Sequence, residues 1–371
     1  MHRGDRCAVC SRQTQVSGQP LLRCSRCHMI RYCGREHQMQ HFTTHKTRCC
    51  AVKKAVDAAA HAKEDLLAVQ GLDIFRVGQF WGMYETRPYM LSLASQIEAL
   101  EHMGTDSSLR AAIDVLFECL RLNRSDNMGL RDVAPGILLR LGEDQHAYDF
   151  VRWWAQDRPT FEWENTSLPY LDTRGADATE SVEHANFLSP FGGPSLQHLV
   201  ALVLVKLRVR DDIEARGCFR LMLAGTLRGS SPLRQLRGHI PALRMIEAFT
   251  ATRSSATPGP VFGQNEATIA TMGQCATRVA CLDHQISRLL LHAERRNPRI
   301  WKAMVNPISI LSVPDPRDCA VGDENDAKKA VERLLPAYRA TPRALARLVA
   351  HVGSPSSSLY DPVPKPSKYP S

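Results

Sequence analysis

Apolar side chains recur at helical spacing over most of this chain and almost nowhere at the two-residue alternation of a strand. Between Glu85 and Trp154, Ile97 and Leu100, then Leu109, Ile113, Leu116, Phe117 and Leu120, fall about one turn apart. Breaks come at Gly104-Thr105-Asp106 and at Asn123 to Asn127, so this stretch predicts helix, turn, helix, turn. Ala51 to Val69 is Ala-rich and free of Gly and Pro, which predicts a helix leading from the N-terminal segment onto the body. Arg158 to Pro194, rich in Pro, Gly, Asp and Thr, has no sustained period and predicts a long connection between two helical halves. Beyond it, Ser195 is placed to cap a strongly apolar helix through Leu207. Ile213 to Leu227, Ile240 to Phe249, Glu266 to Glu294 and Asn325 to Tyr338 read as further helices. Arg253 to Pro260 and the tail from Gly353 are Ser/Pro-rich loop or disorder by composition.

These patterns divide the chain into residues 1–50, a helical stretch 51–157, a connecting loop 158–194, a C-terminal helical region 195–352 and a tail 353–371. The run from Ala112-Ile113 through Leu122-Asn123, followed by Asp126-Asn127 and a new helical pattern over Met128 to Leu141, resembles a degenerate tetratricopeptide repeat. That resemblance implies helix pairs stacked as a solenoid. Arg124 stands where the repeat usually has Pro, and the Gly and aromatic positions of its first helix are poorly kept. Trp153-Trp154, Trp81 and Trp301 are read as packing residues rather than ligand platforms. The fold class expected is mostly α, with a repeat-like body behind a small metal-bound N-terminal unit.

Cysteine usage sets that unit apart. Of 12 cysteines, seven lie in the first fifty residues, and Cys119, Cys218, Cys275, Cys281 and Cys319 are spread over the rest without a pairing pattern. Such asymmetry points to metal binding in a reducing compartment. Cys7-x-x-Cys10 and Cys24-x-x-Cys27 are knuckles that each present two thiolates at the separation of adjacent vertices of a zinc tetrahedron. Cys33 with His37, and His45 with Cys49, are ligands four apart, on one face of a helix. Eight ligands make two closed tetrahedra. His41 is four residues from both His37 and His45, and Cys50 follows Cys49, so either can replace a neighbour on spacing alone.

Taken together, the two knuckles, the Tyr32-Cys33 pair, the ligand-Gln pair His37-Gln38, and a His and Cys eight and twelve residues further on resemble the MYND zinc finger over roughly Cys7 to Cys49. The resemblance implies interleaved sites, Cys7, Cys10, Cys33 and His37 on one zinc and Cys24, Cys27, His45 and Cys49 on the other. It also implies a non-catalytic module that binds proline-rich peptides in a shallow groove, with Gln38 at a position near that groove. His37 stands where the family usually has Cys, Phe42 where it usually has Trp, and the gap between knuckles is a little longer than usual. His is a legitimate zinc ligand, so two Zn2+ ions remain the expected cofactor.

Energy favours metal. The apolar residues available for a core are few: Val9, Leu21, Leu22, Met29, Ile30, Tyr32 and Phe42. Structural zinc supplies roughly 10–16 kcal/mol per site. With four protein ligands per ion there is no open position for a hydrolytic water.

The chain has 371 residues, 47 Lys/Arg against 38 Asp/Glu and a pI near 9.0, a surplus read over the whole chain as scattered. Within residues 1–50, nine Lys/Arg face Asp5 and Glu36, a formal plus seven that two Zn(Cys)3(His) centres reduce to about plus five. No element offers itself to a DNA groove, so direct nucleic-acid binding is not expected, and the partner expected is protein. The Pro-rich tail segment Asp361-Pro362-Val363-Pro364-Lys365-Pro366 is read as a surface tail. The first five residues lack the apolar run of a signal peptide and Leu199 to Val205 is too short to cross a bilayer, so the protein is expected to be intracellular, in nucleus or cytoplasm.

Three other functions are compatible with parts of the chain. A SET-type lysine methyltransferase can carry a MYND finger, but no Asn-His pair exists anywhere in the chain and the body is helical. A Cys/His hydrolase would draw on Cys119, Cys218, Cys275 or Cys281 with His184, His198, His239 or His284, none of them flanked by a recognisable nucleophile turn. A transcriptional regulator that recruits a corepressor is the third, acting through a partner rather than through DNA. The function expected is a zinc-dependent adaptor without an active site.

Overall fold

In the computed structural model, described over residues 6–15, 17–69, 78–156, 161–183, 186–189, 193–227, 272–314 and 320–353, helix dominates and the described strands are two residues each. The expected helix at Ile240 to Phe249, the loop at Arg253 to Pro260 and the tail beyond Gly353 lie outside the described residues. A short antiparallel hairpin, β1 (Leu22–Arg23) on β2 (Arg31–Tyr32), pairs Leu22 with Tyr32 and Arg23 with Arg31.

The helix expected over Ala51 to Val69 turns out to begin much earlier. α1 runs unbroken from Arg35 to Ala68, 34 residues and so about 50 Å long. Its extended N-cap is Gly34, and no Gly or Pro interrupts the chain until it ends. The change of composition at residue 50 therefore falls inside one helix. Its buried positions, His45, Cys49, Val52, Ala55, Ala59 and Leu66, form a stripe, and the helix packs on α2 (Arg87–Met103).

α2 ends where the sequence breaks: Gly104 takes the left-handed conformation at φ 74°. Thr105 then caps α3 (Asp106–Leu122), accepting from the Ser108 N–H at 3.1 Å while the Ser108 hydroxyl accepts from the Thr105 N–H at 3.0 Å. The expected helix over Met128 to Leu141 is a 3-10 turn at Leu130–Asp132 followed by α4 (Ala134–Leu141), which has Pro135 in its first turn. α5 (Asp144–Trp154) follows directly.

The C-terminal half is built on α6 (Leu196–Leu227), which packs against α4, α5, α7 (Met272–Arg296) and α10 (Glu324–Ala340). Leu199 to Val205 are all between 0 and 2% exposed, which explains why this run shows no amphipathic period: every face is covered. α8 (Ile300–Val305), α9 (Ile308–Leu311) and α11 (Ala344–Val352) complete the described helices. α4 and α10 approach so closely that a Cβ on Gly136 would sit 2.7 Å from the Arg333 carbonyl oxygen. One buried apolar cluster extends from Cys24 to Leu348. No described helix is long and apolar enough to cross a membrane.

The segment between α5 and α6 has neither helix nor strand among its described residues, yet it is tightly held. Arg124, buried at 3% exposure, donates to the carbonyls of Asn165 and of Leu168 (2.8 Å) and lies over the ring of Tyr170. The Tyr170 hydroxyl returns a bond to the Arg124 carbonyl at 3.0 Å. Asp149 accepts from the N–H groups of Gly175 and Ala176, and Trp153 donates to Asp172. Lys206, fully buried in α6, donates to the Glu180 carbonyl (2.8 Å) and to Gln285 on α7 (2.7 Å). Ala178, Val182 and Phe187 on the segment are fully buried.

Candidate metal centre

The first knuckle is a turn closed by the Ser11 N–H on the Cys7 carbonyl, and Ala8 N–H ties it to Arg31 on the hairpin. The second knuckle is the hairpin's own connection, with the Cys24 N–H on the Ile30 carbonyl and the His28 N–H on the Cys24 carbonyl. Cys33 lies just before α1, His37 in its first turn, His45 about two turns and Cys49 about three turns further on, so α1 carries three of the eight residues. These elements bring together Cys7, Cys10, Cys33 and His37 in one group and Cys24, Cys27, His45 and Cys49 in another, the donor atoms of each group within 4.8 Å of one another. The interleaving is thus a property of the chain path.

The spacings fit zinc. Bonds of about 2.3 Å to sulfur and about 2.0 Å to nitrogen give tetrahedral edges of about 3.8 Å between sulfurs and about 3.5 Å from sulfur to nitrogen. Cys10 to Cys33 is 3.5 Å and Cys24 to Cys49 is 3.7 Å between sulfurs; Cys7 Sγ to His37 Nδ1 and Cys27 Sγ to His45 Nε2 are both 3.5 Å. Cys33 Sγ to His37 Nδ1 is shorter, at 2.9 Å.

Charge makes the same demand. Burial pushes the Cys7 thiol up, but backbone N–H groups of Cys10, Val9 and Cys33 outweigh it and bring Cys7 down to about 6. Burial, then the adjacent Cys10 and Cys7, pushes Cys33 up to about 11. In the second group burial and then Cys27 push Cys49 up to about 12. Three thiols this close cannot all ionise against one another; a divalent cation removes the conflict and takes all three as thiolates. These are two Cys3His zinc-binding clusters, and four donors on each leave no open position for substrate chemistry.

His41 falls outside both groups. Its Nδ1 is 3.0 Å from the Tyr32 hydroxyl, and its ring stacks on His45 at 5.6 Å and 12°. Cys50 is likewise absent from both. Tyr32 at 1% exposure and Val52 at 1% pack beside the second cluster, whereas among the described residues the first is backed by Leu21 and Val9.

Two residues expected in the finger's small core are on its surface instead: Leu22 is 46% and Phe42 54% exposed, and Met39, which hydrophobic pattern alone did not single out, is 68% exposed. Gln38 is half-buried one turn before Phe42. Leu22 faces Tyr32 across the hairpin, on the side from which the Tyr32 hydroxyl reaches α1. The charge surplus, read as scattered, is concentrated here: the nine Lys/Arg of residues 1–50 leave 38 for the remainder, against 36 acidic residues there.

The finger is fixed to the body. The Thr105 hydroxyl, besides capping α3, donates to the Met29 carbonyl of the hairpin turn at 2.9 Å. Neither Thr105 nor Arg124 stood out as a contact residue in the sequence, because each acts on backbone far away in the chain. Outside the finger, Cys119 is buried and pushed by that burial to about 12, and Cys281 receives a bond from Gln285. His198 bonds the Arg131 carbonyl, and among the described residues no cysteine outside the finger is hydrogen-bonded to a histidine. The side chains of Cys218, Cys319, His184 and His239 lie outside the described residues.

Neither a curated protein nor a solved structure matches the chain. The family model of the MYND finger matches residues 7–49, and this N-terminal segment is a MYND finger, a zinc-binding, non-catalytic protein-interaction module.

Proposed function

We propose that the protein is an adaptor whose finger holds an extended, proline-rich peptide, while the helical, repeat-like body offers a second binding surface and the chain has no active site. The observation that carries this reading is the exposure of Met39 and Phe42 beside Gln38 on α1, in a segment that holds two zinc-binding clusters. Apolar side chains exposed next to one another suit a binding surface, and an aromatic flanked by an amide suits a polyproline II segment, which arrives already extended and with unpaired carbonyls. Gln38 is the peptide's hydrogen-bonding contact in this proposal, and Cys7, Cys10, Cys24, Cys27, Cys33, His37, His45 and Cys49 are the complete set of zinc ligands. On the body, a cleft of about 330 Å3 lined by Phe117, Arg121, His146, Tyr170 and Arg174 is the candidate second surface.

Recruitment of a corepressor to a transcription complex is one use of such an adaptor, favoured by the same surface. The test is fluorescence anisotropy of a labelled Pro-rich peptide array against the full chain. Phe42→Ala and Gln38→Ala are expected to weaken binding at least about tenfold with both zinc ions retained in native mass spectrometry. Unchanged binding in both variants would remove the groove from the proposal. His37→Ala is expected to lose one zinc and His41→Ala none.

A further inference from the structure

The exposed apolar residues of the finger do not stand alone. Arg35, Met39, Phe42 and Lys46 follow one another along α1 at spacings of four, three and four, which places them on one face of the helix, and all four are exposed. Two apolar side chains are bracketed by a cation at each end, and the Lys46 ammonium lies 5.9 Å from the centroid of the Phe42 ring. Arg23, Arg26 and Arg48 are also exposed, and Glu36 is the single acidic residue among the described residues of the finger. The body carries almost no net charge, so the field is local to this surface.

We propose that the finger selects peptides whose apolar core is flanked by Asp or Glu, a selection that rests on the peptide-binding reading above. The cations at 35 and 46 are about 16 Å apart along the helix, the span of about five extended residues. An apolar core of that length would lie over Met39 and Phe42 with its acidic ends against Arg35 and Lys46. Nucleic acid fits less well: a phosphate backbone satisfies the cations but leaves Met39 and Phe42 facing charge and water.

The test uses the zinc-loaded full chain and an array of Pro-rich or apolar cores, each made with Glu, Gln or Lys at both flanks. Glu-flanked peptides are expected to bind about tenfold tighter than their Lys-flanked versions at about 50 mM salt, the gap closing to about twofold at about 500 mM. The double variant Arg35→Gln, Lys46→Gln, checked for two bound zinc ions, should lose the preference and bind the Gln-flanked version as the wild type does. Equal binding of Glu and Lys versions by the wild type would overturn the charge selection and leave the peptide reading intact. Failure of every core in all three versions would overturn both. A DNA duplex that binds more tightly than every Glu-flanked peptide at both salt concentrations would assign the surface to nucleic acid and overturn the proposal.

Discussion

The finger and the body reach order by different routes. In the finger, apolar burial is confined to a few residues such as Leu21, Ile30 and Tyr32, and Leu22, Met39 and Phe42 are left outside, so metal bonds must carry the fold. In the body, α6, packed against four other helices, does the same work through apolar burial with buried polar bonds such as those of Lys206. A region held by metal reaches order with few buried apolar side chains, whereas the packed body buries many and leaves others, Tyr84, Ile308 and Val321 among them, outside.

The largest test of this contrast is metal removal. Chelation, or Cys24→Ser, is expected to cost on the order of 10 kcal/mol for the site affected, with zinc stoichiometry falling and protease cutting within residues 7–49 while α6 and α7 remain protected in hydrogen exchange. Loss of protection throughout the body would mean the two regions do not fold by separate means. Next is Gly136→Ala, which drives a methyl against the Arg333 carbonyl of α10. We expect about 3 kcal/mol of lost stability by denaturant titration, with zinc content unchanged.

Lys206 gives a pH test of the packed region. Burial lowers its pKa from the usual 10.5 to about 8. Between those values the unfolded chain holds a proton that the folded chain has released, so folding stability rises with pH across the window. Relative to Lys206→Met, the wild type should gain about 2 kcal/mol between about pH 8 and pH 10. A flat difference would place the ammonium in a better-solvated setting than the structure gives it. The smallest effect falls at the junction: Thr105→Val removes both the α3 cap and the bond to Met29, for about 1 kcal/mol. Thr105→Ser should restore it, and the finger's amides near Met29 should exchange faster only in the valine variant.

The metal sites were legible because zinc ligation needs particular residue types at short, fixed spacings, and Cys7 to Cys49 contains them all. The break between helices at Gly104-Thr105-Asp106 was legible for a similar reason, since left-handed backbone favours Gly, whereas the Thr105 cap was not singled out. What escaped depends on distant partners. Arg124 looked like a defect in a repeat, whereas its guanidinium binds carbonyls some forty residues later. Phe42 and Leu22 looked like core because hydrophobicity predicts burial only on average. The start of α1 was misread because a helix can pass from a metal-bound unit into a packed one with no local signal.

That continuous helix makes α1 a ruler. From His37 to its end at Ala68 the axis measures about 45 Å, with one end clamped by two cross-braced knuckles and the rest laid along α2. Whatever the finger grips is therefore presented from a platform tied to the body twice, along α1 and through the Thr105–Met29 bond, and not from a tether.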